Sequence, residues 1–406
     1  MLFRFLLMLL AFTLIACEQS STPSSSNATS PTIDRQAVVT HYADMAHAIY
    51  SDSLQTVIVL REAVENLIQN PSATSHQNAK NAWLAARQVY GQSEAFRFGN
   101  LNVDEWEVKV NAWPLDEGLI DYVNQNNYDF TEANPYAQAN IIASSEDISD
   151  TTLRAYHERG GSEANVASGY HAIEFLLWGQ DLNQSPTDKG RRPWTDFSNT
   201  EACTSGNCNR RAQYLRAATV VLLTDLKFMS DDWSPEFENN YRAELLSATA
   251  DEGLRRMVFG IGSFSLGELA GERMNVALLA HSQEDEHSCF SDNTHNDIDQ
   301  NIQGINNIYY GSYTRLDDEV LQGPSLHDLL LSADPELAKR LANNLLDSKA
   351  KSEILVSSAE AGEHFDQQII NGNVAGNTRI KAIIEALRAQ TKNIEALSKT
   401  LALPNV

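Results

Sequence analysis

Apolar residues return at helical spacing through residues 35–69, where Val38, Tyr42, Met45, Ile49, Val57, Val64 and Leu67 are separated by three, four, seven or eight positions. That period predicts one long amphipathic helix. The break at NPSATS ends it, and Ser72 or Ser75 can cap a second helix running through AKNAWLAARQVYGQSEAFRF toward Phe98. A third apolar region surrounds WPLDEGLIDYV, interrupted by Pro114, and residues 151–179 read as a further helix containing GYHAIEFLLWG. Residues 181–209 carry Pro186, Gly190, Pro193 and two cysteines, which marks a connector. Helical periodicity resumes over 210–229, 244–280, 334–347, 350–365 and 378–401, and strand alternation is nearly absent. The pattern predicts an all-α protein of helical bundles in two domains, 34–180 and 210–406, whose similar size is compatible with an old duplication.

The first 17 residues, MLFRFLLMLLAFTLIAC, break with this pattern. Their apolar run is shorter than the roughly 20 residues a membrane-crossing helix needs, and an early Arg4 precedes it, so it reads as an export signal. Leu14, Ile15, Ala16 and Cys17 look like a bacterial lipobox, which makes Cys17 the acylated first residue of the mature chain; the alternative is a secreted protein cleaved near Ala16. Residues 18–33 are rich in Ser, Thr and Pro and read as a flexible tether. Several acyl chains on one cysteine anchor a protein stably. Glu18 stands where an Asp signals inner-membrane retention, so the expectation is an outer-membrane anchor with the body facing the periplasm. An oxidising compartment permits disulfides, and the short loop CTSGNC predicts a Cys203–Cys208 bond, leaving Cys289 as a lone thiol, either buried or beside a site.

The formal net charge of −24 argues against nucleic acid as a partner, because phosphate binding needs a basic face. An acidic body suits a protein that handles cations, but simple solubility accounts for it more readily.

Two stretches could carry chemistry. His171 and Glu174 stand at i and i+3, so a helix projects both from one face, where together they can grip a metal ion such as iron, zinc or manganese. Such a pair also arises as an ion pair on a helix surface or as a satisfied core histidine. Here its neighbours are Tyr170, Ile173, Phe175, Leu176, Leu177 and Trp178, among which a polar group is costly unless partnered. A zinc peptidase would need HExxH or HxxEH; this chain reads HAIEF, with Phe175 in the place of the second His. The second stretch, ELAGERMNVALLAHSQEDEHSCFSDNTHND, offers Glu268, Glu272, His287, Asp292 and His295 as a possible second wall of the same site; its first part reads as helix and SDNTHND as a turn that ends it. Glu94 and Arg97, in QSEAFRFG, are candidate supporting residues, by ion pairing or by binding an anion beside a metal.

The run Gly169-Tyr170-His171-Ala172-Ile173-Glu174 matches the GxHxxE hallmark of the imelysin family. WLAARQVYGQSEAFRFG, WPLDEGLID, GYHAIEFLLWGQD, ELAGERM and HSCFSDNTHND together resemble that family's longer, iron-regulated-protein-A-like branch over most of the mature chain. The resemblance implies two four-helix-bundle-like domains with a site near their interface, a link to iron uptake, and His171 and Glu174 as the positions of interest. It also brings a metallopeptidase classification, which the missing third ligand disfavours. The expectation is therefore a tethered, non-enzymatic periplasmic protein that binds iron or an iron-bearing ligand and works with periplasmic or outer-membrane iron-uptake components. The alternative is a zinc-dependent peptidase using the His171–Glu174 pair.

Overall fold

The computed structural model describes residues 33–404 except 127, 129, 131, 132 and 183–188; the signal, the lipobox with Cys17 and all but the last residue of the tether lie outside the described residues. Helix α1 (Arg35–Gln69) starts where Asp34 accepts from the Gln36 amide, and α2 (Ala73–Ser93) starts at a capping box in which Ser72 and Ser75 satisfy each other's backbone donors. A 3₁₀ turn, Glu94–Phe96, ends α2. A helix that the apolar pattern did not suggest, α3 (Leu101–Asn111), follows. The single helix expected over 151–179 is instead two short ones, α4 (Asp150–Tyr156) and α5 (Tyr170–Trp178), with a loop holding Gly160 and Gly161 between them.

After 181–209 come α6 (Cys208–Asp232), α7 (Tyr241–Ser247) and α8 (Ala250–Ser263). Helix α8 continues into a π-helix, Phe264–Val276, then α9 (Ala277–Ala280). Residues 294–310, expected to begin as a turn, form α10 (Thr294–Tyr310), which buries Ile298, Ile302, Ile305 and Ile308. A hairpin of β1 (Ser312–Thr314) and β2 (Val320–Gln322) pairs antiparallel with Tyr313 opposite Leu321. Then follow α11 (Leu326–Ala333), α12 (Pro335–Glu360), which is one continuous helix where two were expected, α13 (Phe365–Ile369) and α14 (Val374–Thr400). Pro335 sits at the start of α12, where its missing N–H costs nothing, and Asp334 caps it.

Two helical bundles result. In the first, α1 packs on α2 and α6, and α5 lies against α2 and α6; in the second, α8 with its π continuation, α10, α12 and α14 surround one another. Helix α2 also packs on α10 and α1 on α8, so the buried apolar residues form one continuous cluster from Val38 to Leu401. The connector is fastened by charge: buried Asp121 accepts from Arg192 (2.6 Å) and from Arg211 of α6 (2.6 and 3.0 Å). Cys203 and Cys208 are bonded, with Cα atoms 6.0 Å apart, at the head of α6.

Candidate functional site

Helix α5 is buried along its whole length, and its entry is set by Gly169. That residue has φ +92°, and a Cβ there would lie 2.6 Å from the backbone oxygen of Val110 at the end of α3. Only glycine allows the chain to turn into α5 this close to α3. Gly169→Ala is expected to cost about 3 kcal/mol, the upper range for strained backbone, read as a drop in urea-unfolding free energy; a loss below about 1 kcal/mol would show that α5 can shift to make room.

At the start of α5, His171 Nδ1 lies 2.9 Å from Oε2 of Glu174, about one turn further on. The other carboxylate oxygen, Oε1, accepts from the backbone N–H (2.9 Å) and hydroxyl (2.7 Å) of Ser291, in the segment leading to α10. Glu174, expected as a ligand beside His171, is thus placed behind it with both oxygens occupied. His171 Nε2 is buried, has no hydrogen-bond partner, and its ring lines a cavity of about 400 Å3.

His287 lines the same cavity, its ring centroid 4.8 Å from that of His171 and 4.9 Å from that of Trp113. The arrangement behind it repeats that of His171: Nδ1 lies 2.9 Å from Asp297 Oδ2 of α10, to which the Ser288 hydroxyl also donates. Asp297 is ion-paired through Oδ1 with Arg87 of α2 at 3.1 Å. A carboxylate held this way accepts, so His287 Nδ1 donates and Nε2 keeps its lone pair; its contact there is Asn111 Nδ2 at 3.5 Å. Burial, and then the charges of Arg273 and Arg87, hold His287 well below the usual imidazole range; burial, then His287 and Arg87, do the same to His171. Both rings stay neutral at physiological pH, the form that binds metals.

Behind this wall runs a buried polar network. Arg273 of the π-helix donates to Glu94, to Asn301 Oδ1 of α10 (2.7 Å) and to Glu268 Oε1 (3.0 Å). Asn111 Nδ2 donates to Glu94 Oε2 (3.1 Å) and Glu107 Oε1 (2.9 Å), and Arg87 donates to Asn111 Oδ1 (2.6 Å). Glu94 therefore ties α2, α3, α10 and the π-helix together. Arg97 pairs with Asp104 (2.7 Å) and Glu107 (3.2 Å). The π geometry sets one pairing here: at about 3.6 residues per turn, positions five apart point well away from each other, whereas the wider π turn puts Glu268 and Arg273 together.

The expected second wall divides into three. His287 joins His171. Glu268 and Glu272 line a neighbouring cavity of about 500 Å3 on the other side of Trp113 and Pro114. Asp292 and His295 turn toward His364, which lies 4.0 Å from Asp292 Oδ2 and has its ring centroid 5.7 Å from that of His295. Ser291, Asn111 and Glu117 were not singled out in the sequence, although Glu117 lay within the WPLDEGLID stretch and Ser291 opens SDNTHND. Among the described residues, no three His, Cys, Asp or Glu side chains are already arranged to hold one ion. Two imidazoles on one wall, each backed by a carboxylate at Nδ1, fit an ion that brings part of its own ligand shell.

The imelysin family model matches residues 46–394. Iron-regulated protein A of Synechococcus elongatus is 25% identical over 295 residues, which is 70% of this chain and 65% of that protein, so the match spans slightly under two thirds of the relative's length. Among solved structures, a candidate iron-regulated protein A precursor from Parabacteroides distasonis superposes with a TM-score of 0.68 at 20% identity, covering 92% of this chain and 97% of the other. An imelysin-like protein from Psychrobacter arcticum 273-4 gives 0.60 at 15% identity, covering 92% and 98%. At these identities the two structures speak for the fold, and the family match over nearly the whole described body settles membership: the chain belongs to the imelysin family.

Proposed function

We propose that this protein binds iron, as an ion or within an iron-bearing ligand, at the wall formed by His171 and His287, and that it serves iron uptake without being an enzyme. The carrying observation is the pair of neutral, buried imidazoles whose Nδ1 atoms are each tied to a carboxylate, the arrangement that orients histidines as metal ligands. The names of the relatives, which speak of iron regulation, support the choice of iron over zinc. Glu174 orients His171 in this reading. A peptidase reading is less supported, because Glu174, with both oxygens engaged, is poorly placed to activate a water. The sequence at Leu14–Cys17 supports a lipid-tethered body at the periplasmic face of the outer membrane.

The test is anaerobic Fe(II) titration of the mature chain by calorimetry with elemental analysis. One ion per chain is expected, lost in His171→Ala and in His287→Ala, while Glu174→Gln weakens binding by about 10–100-fold, as loss of a carboxylate behind a ligating histidine does. Unchanged affinity in both histidine variants, or chelator-sensitive peptide cleavage abolished by Glu174→Gln, would overturn this reading.

A further inference from the structure

The proposed binding wall leaves open whether iron arrives bare or wrapped in a chelator, and the charge around it decides between them. The cavity in front of His171 and His287 is edged by Asp116, Glu117, Glu284, Asp285 and Glu286, with no Lys or Arg among the described residues that line it. Beyond Trp113 and Pro114, the second cavity is lined by Glu107, Glu158, Glu163, Glu268, Glu272 and the same Asp285, against a single basic residue, Arg97. Arg97 is already paired with Asp104 and Glu107. The two buried guanidinium groups behind the wall are likewise engaged, Arg87 by Asp297 and Arg273 by Glu94 and Glu268. Trp113, Pro114 and Asp285 border both cavities, so the two are neighbours that share one partition.

Acidic lining alone is ordinary on a chain of this charge. What distinguishes this one is that buried polar atoms there lack partners: His171 Nε2, 1% exposed as a residue, has none, and neither do Glu117 Oε2 and Glu286 Oε1, whose residues are 5% and 3% exposed. Unpartnered polar atoms inside a protein are costly, and a cation is the species that satisfies an imidazole and carboxylates together. A preformed iron–citrate complex or a haem would bring its own carboxylates into this lining without a free basic group to meet them.

We propose that the two cavities form an electrostatic vestibule that admits the metal as an aquated cation and turns away anionic chelates. The inference rests on the binding reading above and narrows it. Field lines focused in a cleft of one sign raise local cation concentration and association rates, by about 10- to 1,000-fold in strong cases, and salt erases the effect.

Stopped-flow mixing of the mature chain with aquated Fe(II), beside calorimetry with preformed ferric citrate carrying labelled citrate, separates the possibilities. The variant to compare is Asp285→Asn/Glu272→Gln, at residues partly or fully exposed and outside the binding wall. Wild type is expected to take Fe(II) at a rate that falls with ionic strength, and to retain no labelled citrate. The double variant is expected to bind the same amount of Fe(II), about tenfold more slowly at low salt, with the difference gone at high salt. Citrate retained one to one with iron, or a variant whose rate and salt dependence match wild type, overturns the vestibule while leaving the binding wall intact. Fe(II) binding that survives His171→Ala and His287→Ala overturns the binding wall itself, and no Fe(II) binding in wild type overturns both.

Discussion

Arg273→Met is expected to lower the free energy of unfolding by about 3–5 kcal/mol, the cost of breaking a buried ion pair by removing one partner. Arg273 and Glu94 are both fully buried. Burial pushes the Glu94 pKa up, but the Arg273 guanidinium overrides it and holds the carboxyl below its usual range. Without the guanidinium, Glu94 keeps the amide donors of Asn111 and Asn301 and the nearby charge of Arg87, which is itself paired with Asp297. It must then ionise with less compensation or take up a proton, and either outcome destabilises the seam between α2, α10 and the π-helix. Adding Glu94→Leu removes the stranded carboxyl and is expected to recover more than half of the loss, since an apolar replacement of a whole buried pair is often neutral. Urea denaturation of wild type and the two variants checks this; a loss under about 1 kcal/mol in Arg273→Met would mean that water reaches Glu94.

Chelator-treated protein is expected to lose at least about 3 kcal/mol of stability between pH 6.5 and pH 8. Burial raises the Glu174 carboxyl to about 8, so in the metal-free protein it holds a proton that metal binding at His171 releases, and burial together with Asp366 and Asp181 raises Asp292 to about 8. Unfolded, both groups release their protons near pH 4, so the folded state alone holds them between there and pH 8, and stability falls as pH rises through that window. Histidines act in the opposite sense below it. Burial lowers His76 and His295 to about 4 and takes His171 and His287 well below 6.5, so the unfolded chain binds their protons first and stability rises with pH up to about 6.5. Above that point the raised carboxyls dominate, with Glu117 and Glu286 also held well above the usual range by burial, each contributing up to about 1.4 kcal/mol per pH unit. Asp292→Asn should make the slope of unfolding free energy against pH shallower, and a flat wild-type profile from pH 6.5 to 8 would contradict the protonated state of these groups.

The helical class was legible because long stretches such as residues 35–69 repeat at one period, and the GxHxxE run identified its own helix and the glycine that starts it. Other elements were hidden for definite reasons. The isoleucines of α10 keep helical spacing, but polar SDNTHND masks its start, since residues that favour turns also suit helix N-termini. Helix α3 is short and carries four charges among its 11 residues, Asp104, Glu105, Glu107 and Lys109, so its buried face, Val103, Trp106 and Val110, gives too few repeats to read. The π-helix follows no pattern of apolar spacing that separates it from an α-helix, and so the joining of Glu268 to Arg273 could not be seen. His287 was among the candidates, but its match with His171 depends on packing between two bundles, which no local signal records.

That origin in two bundles has a mechanical side. His171 rides on a helix of the first bundle, while His287 is fixed through Asp297 to a helix of the second, with α2 and α10 in contact between them. The spacing of the rings is therefore a gauge of how the bundles are seated, and a shift of a fraction of an ångström at that contact changes the grip on anything between the rings. The converse holds by linkage: whatever draws the imidazoles together also clamps the bundles, so occupancy of the cavity and cohesion of the whole body rise and fall together.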